Sequence, residues 1–168
     1  MKTGEIIRVI VLSLFGAFLM FYVQPLIYRQ GLLYRPSDVQ NPESLLQLFA
    51  SGDYMNAAVI VFFVSALATI LWCILATKSK ANKMEEISSW RLFWWLLGLV
   101  PVLSIGVAIA MLPETHNEAR LSLALFFALD ILIVFWLTTT TSTPGLLMYI
   151  PPLSLQIRNF LAKFGITE

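Results

Sequence analysis

Four long apolar stretches, separated by short polar segments, dominate the pattern of this chain. They cover about residues 6–28, 54–77, 91–112 and 121–138. A helix needs about 20 apolar residues to cross a hydrocarbon core of about 30 Å. A backbone inside lipid must also satisfy its own hydrogen bonds, which favours helices. The pattern therefore predicts an all-α membrane protein, with residues 1–168 forming a single four-helix transmembrane domain. We expect the short fourth helix to extend into the threonine run that follows it.

Two shorter amphipathic segments lie outside these stretches. Asn41, Pro42 and Glu43 form a helix-start pattern and predict a short helix on the outer membrane interface. The tail, residues 153–165, carries apolar side chains at helical spacing, with cationic side chains such as Arg158 elsewhere on its surface. We expect either an amphipathic helix on the cytoplasmic interface or a helix docked on the apolar surface of a partner subunit.

Basic residues divide unevenly between the two sides of the predicted bundle. Eight of the 11 basic residues fall on the side shared by both termini, namely Lys2, Arg8, Lys78, Lys80, Lys83, Arg91, Arg158 and Lys163. Arg29, Arg35 and Arg120 fall on the opposite side. Because cytoplasmic loops carry an excess of Lys and Arg, both termini are predicted to be cytoplasmic.

The tryptophans agree with this orientation. All five fall in the cytoplasmic half under the same threading, and aromatic residues anchor helices at the headgroup level. The predicted interfacial anchors are Trp90, Trp94, Trp95 and Trp136.

Composition supports a membrane location and excludes several classes of function. Hydrophobic residues make up 58% of the chain and charged residues 12%, whereas soluble domains carry about 25% charged residues. The net charge of +1 argues against nucleic acid as a partner. One cysteine and one histidine rule out an intrachain disulfide and a bis-histidine haem site. We expect a bacterial-type inner membrane, or an internal membrane of similar origin.

Asp130 is the charged residue in the middle of the last apolar stretch. An ionised aspartate at the centre of a bilayer costs about 2.5–3.5 kcal/mol, so it normally faces a partner, a cavity or a proton. Alignment of the four helices by depth predicts a polar layer around it, formed by Ser13, Ser65, Thr69 and Ser104. We expect Asp130 to be protonated or paired with a cation from another subunit.

Three roles for Asp130 remain open at this point. It is a structural carboxyl group inside the bundle, a contact to a second membrane subunit or cofactor, or a proton or cation relay.

Two other polar sites have simpler interpretations. Gln24 before Pro25 is typical of a helix end, and His116 between Glu114 and Glu118 is more typical of a solvated turn than of a metal site.

No catalytic constellation is present in the sequence, so we predict that the chain is not an enzyme. The leading hypothesis is a small integral membrane subunit, or an assembly or stabilising factor, of a larger membrane complex. The alternative is a small oligomeric proton- or cation-coupled transporter or channel that uses Asp130. The expected partners are the lipid bilayer and other membrane subunits or further copies of the chain. Apolar spaces lined by Phe and Trp are compatible with a pigment, a lipid or a quinone and select none of them.

Overall fold

Every regular element in the residues that the structure describes is a helix. A computed structural model describes residues 2–34, 41–79, 84–163 and 165, with residues 84–86 described by their backbone alone. Arg35, Lys80, Lys83 and residue 164 of the predicted tail helix lie outside the described residues.

Four helical runs are long and apolar enough to cross a membrane. They are Thr3–Arg29, Pro42–Lys78, Ile87–Ala110 and Glu114–Ser142. The prediction of an all-helical chain with four helices of membrane-spanning length and hydropathy is therefore confirmed. The fourth run continues through the threonines to Ser142, as expected, and the side of the membrane on which each terminus lies stays a prediction.

The first and fourth runs each contain a π-helical turn. The first run consists of α1 (Thr3–Phe18), a π-helical turn (Leu19–Val23) and α2 (Gln24–Arg29). The second run contains α3 (Pro42–Ser51) and α4 (Asp53–Lys78), and the third lies within α5 (Met84–Ala110). The fourth run consists of a 3₁₀ turn (Glu114–Ala119), α6 (Arg120–Ile131), a π-helical turn (Leu132–Leu137) and α7 (Thr138–Ser142). Turns of the π type are rare and frequently lie at functional sites.

Two glycines, Gly16 and Gly98, allow neighbouring helices to pack closely against the π-helical turn of the fourth run. A Cβ atom added at Gly16 of α1 would overlap the side chain of Val134. A Cβ added at Gly98 of α5 would lie 2.8 Å from the Phe135 ring. Both contacts let a neighbouring backbone approach closely, which is how small residues act at transmembrane helix contacts.

The threonine run is buried along its whole length. Every residue from 138 to 143 exposes 3% of its surface or less. The indole nitrogen of Trp72 donates to Thr143 Oγ1 at 2.8 Å, and that of Trp94 donates to Thr139 Oγ1 at 3.2 Å. The side chain of Trp94 is 3% exposed and its polar nitrogen is used inside the bundle. Its neighbour Trp95 is 55% exposed. The role of Trp90, Trp94, Trp95 and Trp136 as interfacial anchors stays a prediction.

The last helix, α8 (Ser154–Ala162), docks on the end of the fourth run. Arg158 donates from Nε to the Thr140 carbonyl at 2.9 Å and from Nη2 to the Thr143 carbonyl at 2.6 Å. Ser154 Oγ also donates to the Thr140 carbonyl, at 3.0 Å. Basic side chains stabilise helix C-termini in this way because the last carbonyls have no partner within their own helix. Burial and the neighbouring Arg8 guanidinium lower the pKa of Arg158.

This docking changes the interpretation of the tail. Arg158 was expected on the free surface of an amphipathic helix, but it contacts carbonyls of its own chain. The chain turns into α8 at Leu153, the residue before the helix, whose φ of 63° is unusual for a bulky side chain. The location of α8 at a membrane interface stays a prediction.

The close approach at Gly16 predicts a specific defect. We expect Gly16→Ala to lower the free energy of unfolding by about 1–3 kcal/mol, because Val134 is stiff at χ1 and cannot readily move away. Thermal unfolding in detergent measures the effect. Gly106→Ala is the matched control, since nothing lies within 4 Å of a Cβ at that position. Adding Val134→Ala to Gly16→Ala should recover part of the loss. Equal stability of Gly16→Ala and Gly106→Ala would contradict the proposed contact.

Candidate functional site

Gln24 and Asp130 form the polar centre of the bundle. Gln24 begins α2 immediately after the first π-helical turn, and Asp130 lies two residues before the second. The Gln24 amide nitrogen donates to both carboxyl oxygens of Asp130 at 2.9 Å. The carboxyl-bearing residue is 1% exposed, so it is enclosed by helices of its own chain. The interpretation of Gln24 as a mere helix end is wrong, because its side chain points into the core and binds the buried acid.

Tyr54 completes this site from α4. Its hydroxyl lies 2.8 Å from the Gln24 side-chain oxygen and 2.7 Å from the Met20 carbonyl. A phenol has one proton to donate, so these two acceptors share it. With its oxygen held by Tyr54, the Gln24 amide directs its nitrogen toward Asp130. The site therefore joins the first, second and fourth helical runs.

Three of the four hydroxyl residues predicted around Asp130 contact backbone carbonyls. Thr69 bridges two helices, because its hydroxyl lies 2.8 Å from the Val134 carbonyl of the fourth run. Ser65 and Ser104 instead donate to carbonyls of their own helices. Ser13 is half-buried on α1. The structure thus brings Asp130 together with Gln24 and Tyr54, whereas the hydroxyl groups of Ser65, Thr69 and Ser104 bind backbone carbonyls.

Hydroxyl groups of α4 serve both π-helical turns. Tyr54 contacts the carbonyl of Met20 in the first turn, and Thr69 contacts that of Val134 in the second. A widened helical turn disturbs the regular carbonyl partners of a helix, and a side-chain donor from a neighbour can then take up a carbonyl oxygen. The two hydroxyls of α4 therefore hold the irregular segments of the first and fourth runs in place.

A second polar cluster forms where Tyr34 and the 3₁₀ turn of the fourth run meet the start of α4. His116 is 6% exposed, and its Nε2 lies 3.3 Å from an Asp53 carboxyl oxygen. Its Nδ1 lies 3.0 Å from the Tyr34 hydroxyl, which also donates to the Thr115 carbonyl. The imidazole packs on the ring of Phe49, with 4.7 Å between ring centroids. The prediction of a solvated turn at His116 is therefore wrong.

This histidine cluster joins separate segments of the chain. Within the part of the chain that the structure describes, no three His, Cys, Asp or Glu side chains are grouped to hold a metal ion. Burial, together with the negative charge of Glu118, raises the pKa of the Tyr34 phenol, which therefore stays protonated and able to donate. The cluster ties the first loop, α3, α4 and the 3₁₀ turn of the fourth run together.

Chemically, the Asp130 site is a hydrogen-bonded clamp. An amide group holds its neighbours by donating and accepting hydrogen bonds, but it does not itself titrate. Gln24 therefore positions the carboxyl group without offering it a base. Sequence reasoning found Asp130 but missed Gln24 and Tyr54, because residues separated by 106 and 30 positions meet only when the helices pack.

No protein-family model, curated protein or solved structure matches this chain. Its function therefore has to be inferred from the geometry of its own residues. Three features of the described residues bear on function. They are the Gln24–Asp130–Tyr54 clamp, the two π-helical turns beside it and the apolar outer surface.

The clamp predicts non-additive losses of stability. Gln24→Leu and Asp130→Leu should each cost about 1–3 kcal/mol, because each leaves a buried polar partner unsatisfied. The double variant should cost less than the sum of the two, since neither partner is then orphaned. Thermal unfolding in detergent measures all three. Gln47→Leu on the exposed face of α3 is the matched control and should be nearly neutral. Strict additivity of the two single losses would argue against the clamp.

Removal of the Tyr34 hydroxyl from the histidine cluster should loosen the 3₁₀ turn that contains His116. Tyr34→Phe removes the hydroxyl that contacts His116 and the Thr115 carbonyl. A hydrogen bond contributes about 1 kcal/mol, so amides of the Glu114–Ala119 turn should exchange about fivefold faster with deuterium. Tyr22→Phe is the matched control because Tyr22 is exposed. Unchanged exchange in the Tyr34 variant would show that the turn does not depend on this contact.

Proposed function

We propose that this chain is a small non-enzymatic integral membrane subunit, or an assembly or stabilising factor, of a larger membrane complex. The observation that carries the proposal is the enclosed Asp130 clamp. Its polar atoms are used to fasten three helical runs of the same chain to one another. A buried acid used in this way fits a rigid apolar scaffold better than a reactive centre.

The outer surface of the bundle supports the same proposal. A groove of about 380 Å³ lies between α5 and the fourth run, with Trp95, Gly98, Leu99 and Phe135 among its lining residues. Gly98 lowers the surface at this point, as small residues do where transmembrane helices meet. Large aromatic and aliphatic side chains around such a depression fit a neighbouring apolar helix.

A second candidate function is proton- or cation-coupled transport through Asp130. The two π-helical turns next to the Gln24–Asp130 pair favour it, because such turns are frequent at functional sites. Since Asp130 is enclosed by its own chain, a pathway would have to run within each bundle and not along an axis shared by several copies. Transport also usually needs more than one ionisable group in each pathway.

The location proposed for the chain follows the charge pattern. Both termini would lie in the cytoplasm, with the bundle in a bacterial-type inner membrane or an internal membrane of similar origin. The bilayer and other membrane subunits are the proposed partners.

Gentle extraction through a C-terminal tag tests the leading proposal. We expect the chain to leave native membranes within one defined complex, whose mass and subunits native mass spectrometry identifies. Asp130→Leu should loosen the bundle and lower the yield of that complex, whereas Glu43→Gln on the exposed start of α3 should leave it unchanged. Recovery of a homo-oligomer with no other protein would overturn the subunit proposal.

Reconstitution into liposomes separates the two functions. If the chain transports protons or cations, the purified protein supports a pH-dependent flux that Asp130→Asn abolishes while Glu43→Gln preserves it. The subunit proposal predicts no flux above protein-free liposomes for any of the three proteins. A flux that depends on Asp130 would therefore replace the leading proposal with the second one.

A further inference from the structure

An apolar groove opens between α1 and α4, at the end of the bundle where α1 begins and α4 ends. Its volume is about 400 Å³. Ile6 and Ile10 line it from α1, and Ile70 and Ile74 line it from α4. All four isoleucines are exposed, so no described part of the chain covers the groove.

The groove runs along the last turns of α4. From Ile70 to Lys78 it follows a little over two turns of α4, which is about 12 Å at the rise of an α-helix. Cys73 forms part of its floor and is buried. This shape suits an extended hydrocarbon chain lying between two helices.

A positively charged side chain lines the groove where α4 ends. Lys78 is the last residue of α4 and is exposed. The hydroxyl of Thr77 is used within α4, since it donates to the Cys73 carbonyl at 2.7 Å. Glu5, which lies near this end, is buried and accepts a hydrogen bond from the backbone nitrogen of Lys2. Among the described residues that line the groove, Lys78 is the one with a charged side chain, so a ligand in the groove would meet its ammonium group.

The depth of Lys78 fits the level of lipid headgroups. Helix α4 has 26 residues, which give about 39 Å of length, more than the hydrocarbon core of about 30 Å. Its last residue therefore lies near the membrane surface, where long basic side chains extend toward phosphate groups. Basic pockets between transmembrane helices at a membrane surface bind anionic headgroups.

We propose that this groove binds one acyl chain of an anionic glycerophospholipid, whose phosphate pairs with Lys78. The isoleucines of α1 and α4 hold the hydrocarbon chain, and the ammonium group selects the negatively charged headgroup. Charge complementarity at headgroup depth favours a lipid over a partner helix, which would need its own acidic side chain at this level. The site does not depend on which function of the chain is correct.

Lipid retention by the full-length protein tests the proposal. The protein is reconstituted in vesicles of equal parts phosphatidylglycerol and phosphatidylcholine, extracted in mild detergent and examined by native mass spectrometry. We expect the wild-type protein to retain phosphatidylglycerol preferentially. Lys78→Gln should lower that preference about fivefold, since a basic residue near an anionic surface contributes about 1 kcal/mol. Lys163→Gln is the matched control and should keep the preference.

A groove-filling variant tests the acyl chain separately. Ile74→Trp should displace both lipids, whereas Leu67→Trp, on the exposed surface of α4 outside the groove, should retain them. If Ile74→Trp does not fold, Ile10→Phe fills the groove from its other wall. Unchanged preference in Lys78→Gln, or full lipid retention in a folded groove-filling variant, would overturn the proposal. A protein chain crosslinked to Cys73 in place of lipid in native membranes would also overturn it.

Discussion

The hydrogen bonds between Gln24 and Asp130 are the interaction on which the arrangement of this bundle depends. An acidic group in an apolar interior is costly unless its oxygens are satisfied, so the first and fourth runs must meet where these two residues face each other. Tyr54 then fixes the amide from α4 and adds a third run to the same point. Apolar packing alone would leave the rotation of each helix less restricted, because most of their surfaces are equally apolar.

The irregular turns and the threonine run follow the same principle. Where the π-helical turns disturb the helices, α4 supplies the hydroxyls of Tyr54 and Thr69 to backbone carbonyls. Where the fourth run ends, Arg158 takes up its last carbonyls. Nearly all of this polarity is directed inward, which leaves an outer surface of aliphatic and aromatic side chains. A membrane subunit that assembles with other apolar helices would have such a surface.

Much of the helical plan could be predicted from the sequence, whereas the candidate site could be predicted only in one residue. Asp130 was visible because a charge interrupts an apolar stretch. Gln24 and Tyr54 were not, since a glutamine near a proline and a tyrosine near a helix start have ordinary local explanations. The prediction of a solvated turn at His116 was wrong for the same reason, because its partners Tyr34 and Asp53 come from two other segments.

The sequence by itself determined the number, length and apolar character of the helices, because these depend on local composition and on the thickness of a hydrocarbon layer. It also determined that the fourth helix would continue into its threonines. Only the tertiary structure decided which polar groups are partners, that Trp94 is buried and that Arg158 caps a helix. Those outcomes depend on how each helix is rotated about its axis, and that rotation is set by contacts such as Gly16 with Val134 that join distant parts of the chain.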